Sequence, residues 1–203
     1  MKRVRVPFFS IQQYFLAVLL IPFFFNNCFA QFRFGVDGGV QIPNNVQFKT
    51  LVNNGFGLSL SGEYEFSFLP LAVSLNAGYN NWAYKNRIYF SESNSGIHEE
   101  SFGGINMYSY IVAAGPKLFF GIRGSQFSPY VGIDAGIMAA SSSAPGASYG
   151  AGFIYYPFLG FRYTITPGII SIDLNVNEAT FRQSNDGDSL TWISVNAGIF
   201  LLF

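Results

Sequence analysis

The chain has 203 residues, with 11 basic against 11 acidic side chains and only 11% of its residues charged. No basic excess exists to attract a polyphosphate backbone, which excludes nucleic acid as a partner, and a single cysteine excludes disulfide frameworks and thiolate metal clusters. Phe (24), Tyr (12) and Gly (22) are unusually common, yet beyond residue 30 no uninterrupted apolar run reaches about 18 residues, which disfavours a helical membrane protein.

Lys2, Arg3 and Arg5 open the chain, an apolar stretch from Tyr14 to Phe25 follows, and Cys28 and Ala30 supply the small residues of a cleavage site. Residues 1–30 are therefore expected to be a removed signal peptide, with Gln31 first in the mature chain. A retained membrane helix over about 8–25 is the weaker reading, because Pro7 and Pro22 bracket it and a span needs about 20 apolar residues. Phe25-Asn26-Asn27 before Cys28 lacks the residues of a lipobox, which speaks against a lipoprotein. Without Lys2, Arg3 and Arg5, the 173 residues of 31–203 carry 8 basic and 11 acidic groups, a formal charge of −3, and no cysteine. One domain is expected over 31–203.

Period-two segments follow. The first sets Phe32, Phe34, Val36 and Val40 against Arg33, Asp37 and Gln41; the second sets Phe56, Leu58, Leu60, Tyr64 and Phe66 against Ser59, Ser61, Glu63 and Glu65. The third sets Leu71, Val73, Leu75, Ala77 and Tyr79 against Ser74, Asn76 and Asn80. In the fourth, about 108–120, Tyr110, Val112, Ala114, Pro116 and Leu118 oppose Lys117, although Ile111 and Phe119 share the lysine's face and Pro116 has no N–H for a ladder. The fifth (130–140) sets Val131, Ile133, Ala135 and Ile137 against Asp134, and the sixth (151–163) sets Phe153, Tyr155, Leu159, Phe161 and Tyr163 against Gly152, Gly160 and Arg162. The seventh sets Ile170, Ile172, Leu174 and Val176 against Asp173, Asn175 and Asn177, and the eighth, about 190–203, alternates Ile193, Val195, Ala197, Ile199 and Leu201 up to Phe203, with Ser194, Asn196 and Gly198 opposite. A soluble sandwich also alternates. Here the apolar face is free of charge and long enough for the tilted span of about 9–11 residues that a membrane strand needs.

The pattern predicts an all-β fold: an eight-stranded antiparallel transmembrane β-barrel of up-and-down topology. An even number of strands puts both chain ends on the periplasmic side, with short connections at 68–70, 121–128 and 164–168 there, and longer loops at 42–55, 85–102, 141–150 and 182–189 outside. Trp82, Tyr84, Tyr89 and Trp192 are expected to form the outer aromatic belt, and Phe66, Phe68, Phe161, Tyr163 and Phe203 the inner one.

Eight strands enclose room only for side chains or one small ligand. The inward set includes Arg33, Asp37, Glu63, Glu65, Lys117, Asp134, Arg162 and Asp173, three basic and five acidic groups that burial forces to pair, and it reads as a polar plug. No catalytic, metal or cofactor-binding residue is assigned. His98 beside Glu99, Glu100 and Ser101 reads as a solvated loop histidine, since neighbours in sequence rarely converge into a triad. Asp186-Gly187-Asp188 reads as a turn, lacking the other oxygen ligands of a calcium loop. Glycines on the inward faces match no phosphate-binding motif and relieve crowding.

Phe203 at the end of an alternating strand resembles the signal that marks Gram-negative outer-membrane barrels for insertion. With the basic leader ending before Gln31, the eight segments and the inward glycines of Gly132-Ile133-Asp134-Ala135-Gly136, the chain resembles the small outer-membrane barrels of the OmpA/OmpX-like superfamily. Gln31 and Tyr156-Pro157-Phe158-Leu159-Gly160-Phe161-Arg162-Tyr163 are similar in flavour to its Bacteroidota members, such as the PorT-like family. The resemblance implies the outer membrane of a Gram-negative bacterium, with outer-membrane lipids and the barrel-assembly machinery as partners. It supplies no catalytic residue, and no peptidoglycan-binding domain is expected beyond the barrel, which speaks against cell-wall tethering. The leading expectation is a non-enzymatic structural or surface-exposed protein, in which an extracellular ligand would be met by the 85–102 loop with Lys85, Arg87, Tyr89, Phe90, Glu92, Glu99 and Glu100. A narrow pore or small-ligand transport barrel is the alternative, and a lipid-modifying enzyme a weaker one.

Overall fold

The computed structural model describes residues 31–203 except 67–68, 86–87, 94–95, 102–104, 121–124, 144–147, 168 and 184–188, and the side chains of 88–93, 96–101 and 148–149 also fall outside the description. The expected signal peptide, Phe68 and Asp186–Asp188 therefore lie outside the described residues.

The barrel strands are β1 (Gln31–Pro43), β2 (Gly55–Glu65), β3 (Leu71–Ala83), β6 (Asn106–Phe119), β7 (Phe127–Ser142), β8 (Ser148–Thr166), β9 (Ile170–Gln183) and β10 (Ser189–Leu202). They close in the order β1-β10-β9-β8-β7-β6-β3-β2, every neighbouring pair antiparallel. This is the up-and-down barrel that the alternation predicts. Closure leaves no edge: Phe34 stands opposite Leu201 on one side and Gly62 on the other. In hydrocarbon each unpaired amide or carbonyl costs several kcal/mol, so an apolar-faced sheet has to close on itself.

Two loop-end connections carry structure that the alternation did not reveal. Between β1 and β2 lies the short helix α1 (Val46–Leu51), and the connection from β3 to β6 contains the hairpin β4 (Ile88–Ser93) and β5 (Gly96–Ser101), paired from Ile88↔Ser101 to Ser93↔Gly96. The sequence pattern predicts only loops for both segments. The strands also run further than the alternation suggests: β8 reaches Thr166, so most of the expected 164–168 turn is strand, and β7 begins at Phe127. Ladder pairing rewards such extension wherever a neighbour is present.

The outer face is apolar. Leu60 is 63% exposed, Ile137 67% and Leu159 62%. Soluble monomers rarely expose contiguous apolar patches beyond a few hundred Å², because water penalises each Å² by about 25 cal/mol. A surface of this kind around the whole barrel belongs in hydrocarbon. Strand phase matches the sequence reading even in β6, where Tyr110 and Val112 face out while Ile111 and Lys117 are buried.

Two prolines interrupt the ladders from the apolar face. Gly115 and Pro116 drop out of the β6–β7 pairing, and Tyr156 and Pro157 out of the β8–β9 pairing, as expected where a residue has no N–H to give. Inward glycines answer a different need. A Cβ on Gly136 would sit 2.0 Å from the Val112 carbonyl oxygen, and one on Gly35 would lie 2.5 Å from the Phe200 ring.

Candidate functional site

The lumen is the only concentration of buried polar chemistry among the described residues, and it is layered. At the end of the barrel where β1 begins and β10 ends, called the terminal end below, sits a charge cluster. Arg33 and Glu65 lie at the start of β1 and the end of β2, and Arg33 Nε donates to Glu65 Oε1 at 2.7 Å. Arg162, on β8, is its hub: its guanidinium reaches Glu65 Oε1 at 2.7 Å, Glu63 Oε2 at 2.6 Å and Asp173 Oδ2 at 2.9 Å. Lys117 donates to Glu63 Oε1. Glu63, Lys117, Arg162 and Asp173 are all buried. The planar five-donor fork of Arg suits this three-way task, where a lysine would make one point contact.

Aromatic residues seal the cluster. Phe200 lies under both cations, its ring centroid 4.9 Å from Arg162 Cζ and 5.8 Å from Lys117 Nζ, and Lys117 Nζ sits 4.3 Å from the Tyr130 ring. Tyr130 donates its hydroxyl to Asp173. Strand phase places Tyr130 and Phe200 inside, but alternation alone does not tell which inward rings meet the charged groups.

Above the cluster is a chamber of about 100 Å³, bordered by Asn76, Asn80, Asn175, Asn177, Asn196 and Tyr156 among others. Asp37 and Asp134 belong to this layer. Asp37 accepts from Ser59 at 2.6 Å and Ser61 at 3.1 Å, while Asp134 accepts from Ser74 at 2.7 Å and Asn76 at 2.5 Å. Thus the structure brings six of the eight interior charged residues named from the sequence into one ion-pair network. The other two it surrounds with neutral donors.

An apolar cap closes the loop end. Phe48 of α1 is fully buried, its ring edge-on to Trp82 at 5.3 Å and to Trp192 at 6.3 Å, with the two indoles 5.3 Å apart. Met107, Met138, Ile154 and Phe181 belong to the same cluster. The helix is tied down locally. Asn45 accepts from the Phe48 N–H at 3.1 Å and donates to the Ser189 carbonyl at 2.6 Å, and Lys85 Nζ donates to the Lys49 carbonyl at 2.5 Å.

This corrects the expected outer belt. Trp82 and Trp192 are 0% and 1% exposed and point into the barrel, so they cannot sit among headgroups. Each follows its strand's inward phase, Trp82 two places after Asn80 and Trp192 two before Ser194. Tyr84 packs against the same cap; the Tyr89 side chain lies outside the described residues. Rings on the outer face do gather towards the loop end, but they are Phe56, Tyr79, Tyr108 and Tyr110, linked by centroid distances of 5.5 to 6.3 Å.

At the other rim, Phe203 is 76% exposed, donates its N–H to the Phe32 carbonyl at 2.9 Å and meets Phe34 edge-on at 5.8 Å. Deleting Phe203 should lower the yield of assembled barrel more than deleting one residue from the 143–147 connection. The check is the fraction of unheated protein with folded mobility on gels. Equal yields would mean that the terminal ring has no part in assembly.

No group of three or more His, Cys, Asp or Glu side chains able to hold a metal occurs among the described residues. Of the loop residues named from the sequence, only Lys85 has a described side chain; those of Arg87, Tyr89, Phe90, Glu92, His98, Glu99 and Glu100 lie outside the description.

A closed, lipid-facing, eight-stranded barrel with a filled lumen defines the outer-membrane β-barrel class of fold. No family model matches the chain, and no curated protein matches it in sequence. Among solved structures, it is similar to Neisserial surface protein A (NspA), with a TM-score of 0.60 and 16% identity over 85% of this chain and 97% of that one. It is also similar to the outer membrane enzyme PagL, with a TM-score of 0.50 and 14% identity over 82% of this chain and 97% of that one. At such identities the likeness is one of fold.

Proposed function

We propose that the protein is a non-enzymatic outer-membrane barrel whose sealed lumen makes it a rigid pedestal for its loops, the β4–β5 hairpin above all. The observation that carries this reading is the double closure of the lumen: ion-paired side chains fill the terminal end and the Phe48–Trp82–Trp192 cap fills the loop end. A continuous conduit would need a water-filled path through both. Functional segments borne on a stiff scaffold are a common arrangement, and the connection from β3 to β6 is well placed to meet an extracellular ligand. Removal of residues 1–30 as a signal, periplasmic termini, a Gram-negative outer membrane, lipid contact and passage through the barrel-assembly machinery belong to the same proposal. So does nearer kinship to the PorT-like barrels of Bacteroidota.

Fractionation, surface access and loop replacement test it. Heat-modifiable migration and retention in carbonate-washed outer membranes are expected, together with protease access in intact cells to a tag placed within 85–102. Replacing 85–102 by a short Gly-Asn turn should leave folded mobility intact. Collapse of assembly in that variant, or hydrolysis of outer-membrane lipids by the purified protein, would contradict the pedestal reading.

A further inference from the structure

The loop-end rim carries cations that no described group balances. Outside the Arg162 cluster, the described cations are Lys49 on α1, Lys85 just beyond β3 and Arg182 on β9, and none of them joins an ion pair among the described residues. Lys49 and Lys85 share one groove of about 460 Å³, bordered also by Ile42, Val52, Asn53 and Asn54; Arg182 does not border it. No carboxylate of the described residues lines it. The two lysines stand side by side, because Lys85 Nζ donates to the carbonyl of Lys49 itself at 2.5 Å.

The groove opens onto the lipid-facing wall. Ile42 is exposed on the outward face of β1, two places beyond Val40, and Val40 pairs with Phe56 across the β1–β2 ladder. Both of these side chains are exposed too, and the Phe56 ring lies 6.3 Å from that of Tyr79. A pair of cations therefore stands at the loop end of a continuous apolar strip. Neighbouring like charges repel, and an anion between them relieves that repulsion. Lysine acts as a point-charge ligand for phosphate, and the Asn53 and Asn54 amides can donate to the remaining oxygens. The apolar strip decides which phosphate fits. A soluble anion gains nothing from Ile42, Val40 and Phe56, whereas acyl chains bury against them.

We propose that this groove docks the phosphate headgroup of one outer-leaflet lipid between Lys49 and Lys85, with its acyl chains along Ile42, Val40 and Phe56. This rests on the outer-membrane placement proposed above. The bound lipid would also brace α1, which carries Lys49, against the rim.

Native mass spectrometry of the full chain refolded in detergent tests this, with phosphatidic acid and phosphatidylcholine of the same acyl chains as probes. One phosphatidic acid is expected to stay on each barrel at concentrations where phosphatidylcholine is not retained. Lys49→Gln and Lys85→Gln should each weaken retention by about fivefold, the factor one lysine near an anionic lipid surface supplies, while Arg182→Gln should leave it unchanged. Lys49→Gln keeps the backbone carbonyl that Lys85 uses, so it decides the matter even if Lys85→Gln loosens α1. Equal retention of both lipids would overturn the proposal. So would equal losses in Lys49→Gln and Arg182→Gln, which mark a diffuse attraction, or displacement of the lipid by inorganic phosphate at matching concentrations, which marks a site for a free anion. Folded mobility on unheated gels separates loss of this site from loss of the barrel, and failure to fractionate with outer membranes would count against the placement instead.

Discussion

Replacing Arg162 with methionine should destabilise the folded barrel by about 3–5 kcal/mol, the scale on which a buried ionic cluster responds to losing one partner. Arg162 is the single cation that touches Glu63, Glu65 and Asp173 at once. Its removal leaves Asp173 with only the Tyr130 hydroxyl and Glu63 with only Lys117. A lost methylene contact would cost far less; the penalty comes from carboxylates stranded in a dry interior. Unfolding of detergent-solubilised protein by urea, followed by tryptophan fluorescence and gel mobility, measures it. The double variant Arg162→Met with Glu63→Gln should recover part of the loss, because one stranded charge is gone. If Arg162→Met proved within about 0.5 kcal/mol of wild type, as an ordinary surface change would be, the cluster would not be the lock described here.

Trp192→Ala should cost about 3–5 kcal/mol as well, by a different mechanism. Trp192 is 1% exposed and packs on both Phe48 and Trp82, so truncation opens a cavity between the cap and the polar chamber below. The same change should loosen α1, which rests on the barrel through Phe48. Trp82→Phe should be milder than Trp192→Ala, because it keeps a ring in the cap and removes an indole N–H that has no hydrogen-bond partner among the described residues. Hydrogen exchange of the α1 amides separates the effects: exchange should quicken in Trp192→Ala and stay slow in Trp82→Phe. Equal protection in both would show that the cap does not hold the helix.

Much of this architecture is legible in the sequence because a strand's two faces repeat every second residue. The eight barrel strands, the inward set from Arg33 to Asp173 and the outward apolar face all follow from that periodicity. The same periodicity places Trp82 and Trp192 inside. The expectation of aromatic belts at strand ends displaced that signal, although strand phase is the stricter constraint: moving a side chain to the other face requires a bulge or a register slip. α1 was harder to see. Six residues give less than two turns of helical pattern, and its fixing contact, Phe48 on two indoles, depends on positions far away in sequence. Nor could alternation say which charges pair. Arg162 meets Glu63 across 99 positions, while Asp37 and Asp134 find serine and asparagine donors instead, and that sorting depends on height within the closed barrel.

The lumen is sealed at both ends, and planar-bilayer recording of the purified wild-type protein is the sharpest check of that seal. Eight strands leave little width once Arg162, Lys117, Phe200 and Trp192 occupy the interior. No steady conductance is expected, only small and intermittent activity. Stable, reproducible single-channel steps in the wild type that disappear when Glu63 or Asp134 is replaced would contradict the account and establish a pore in its place.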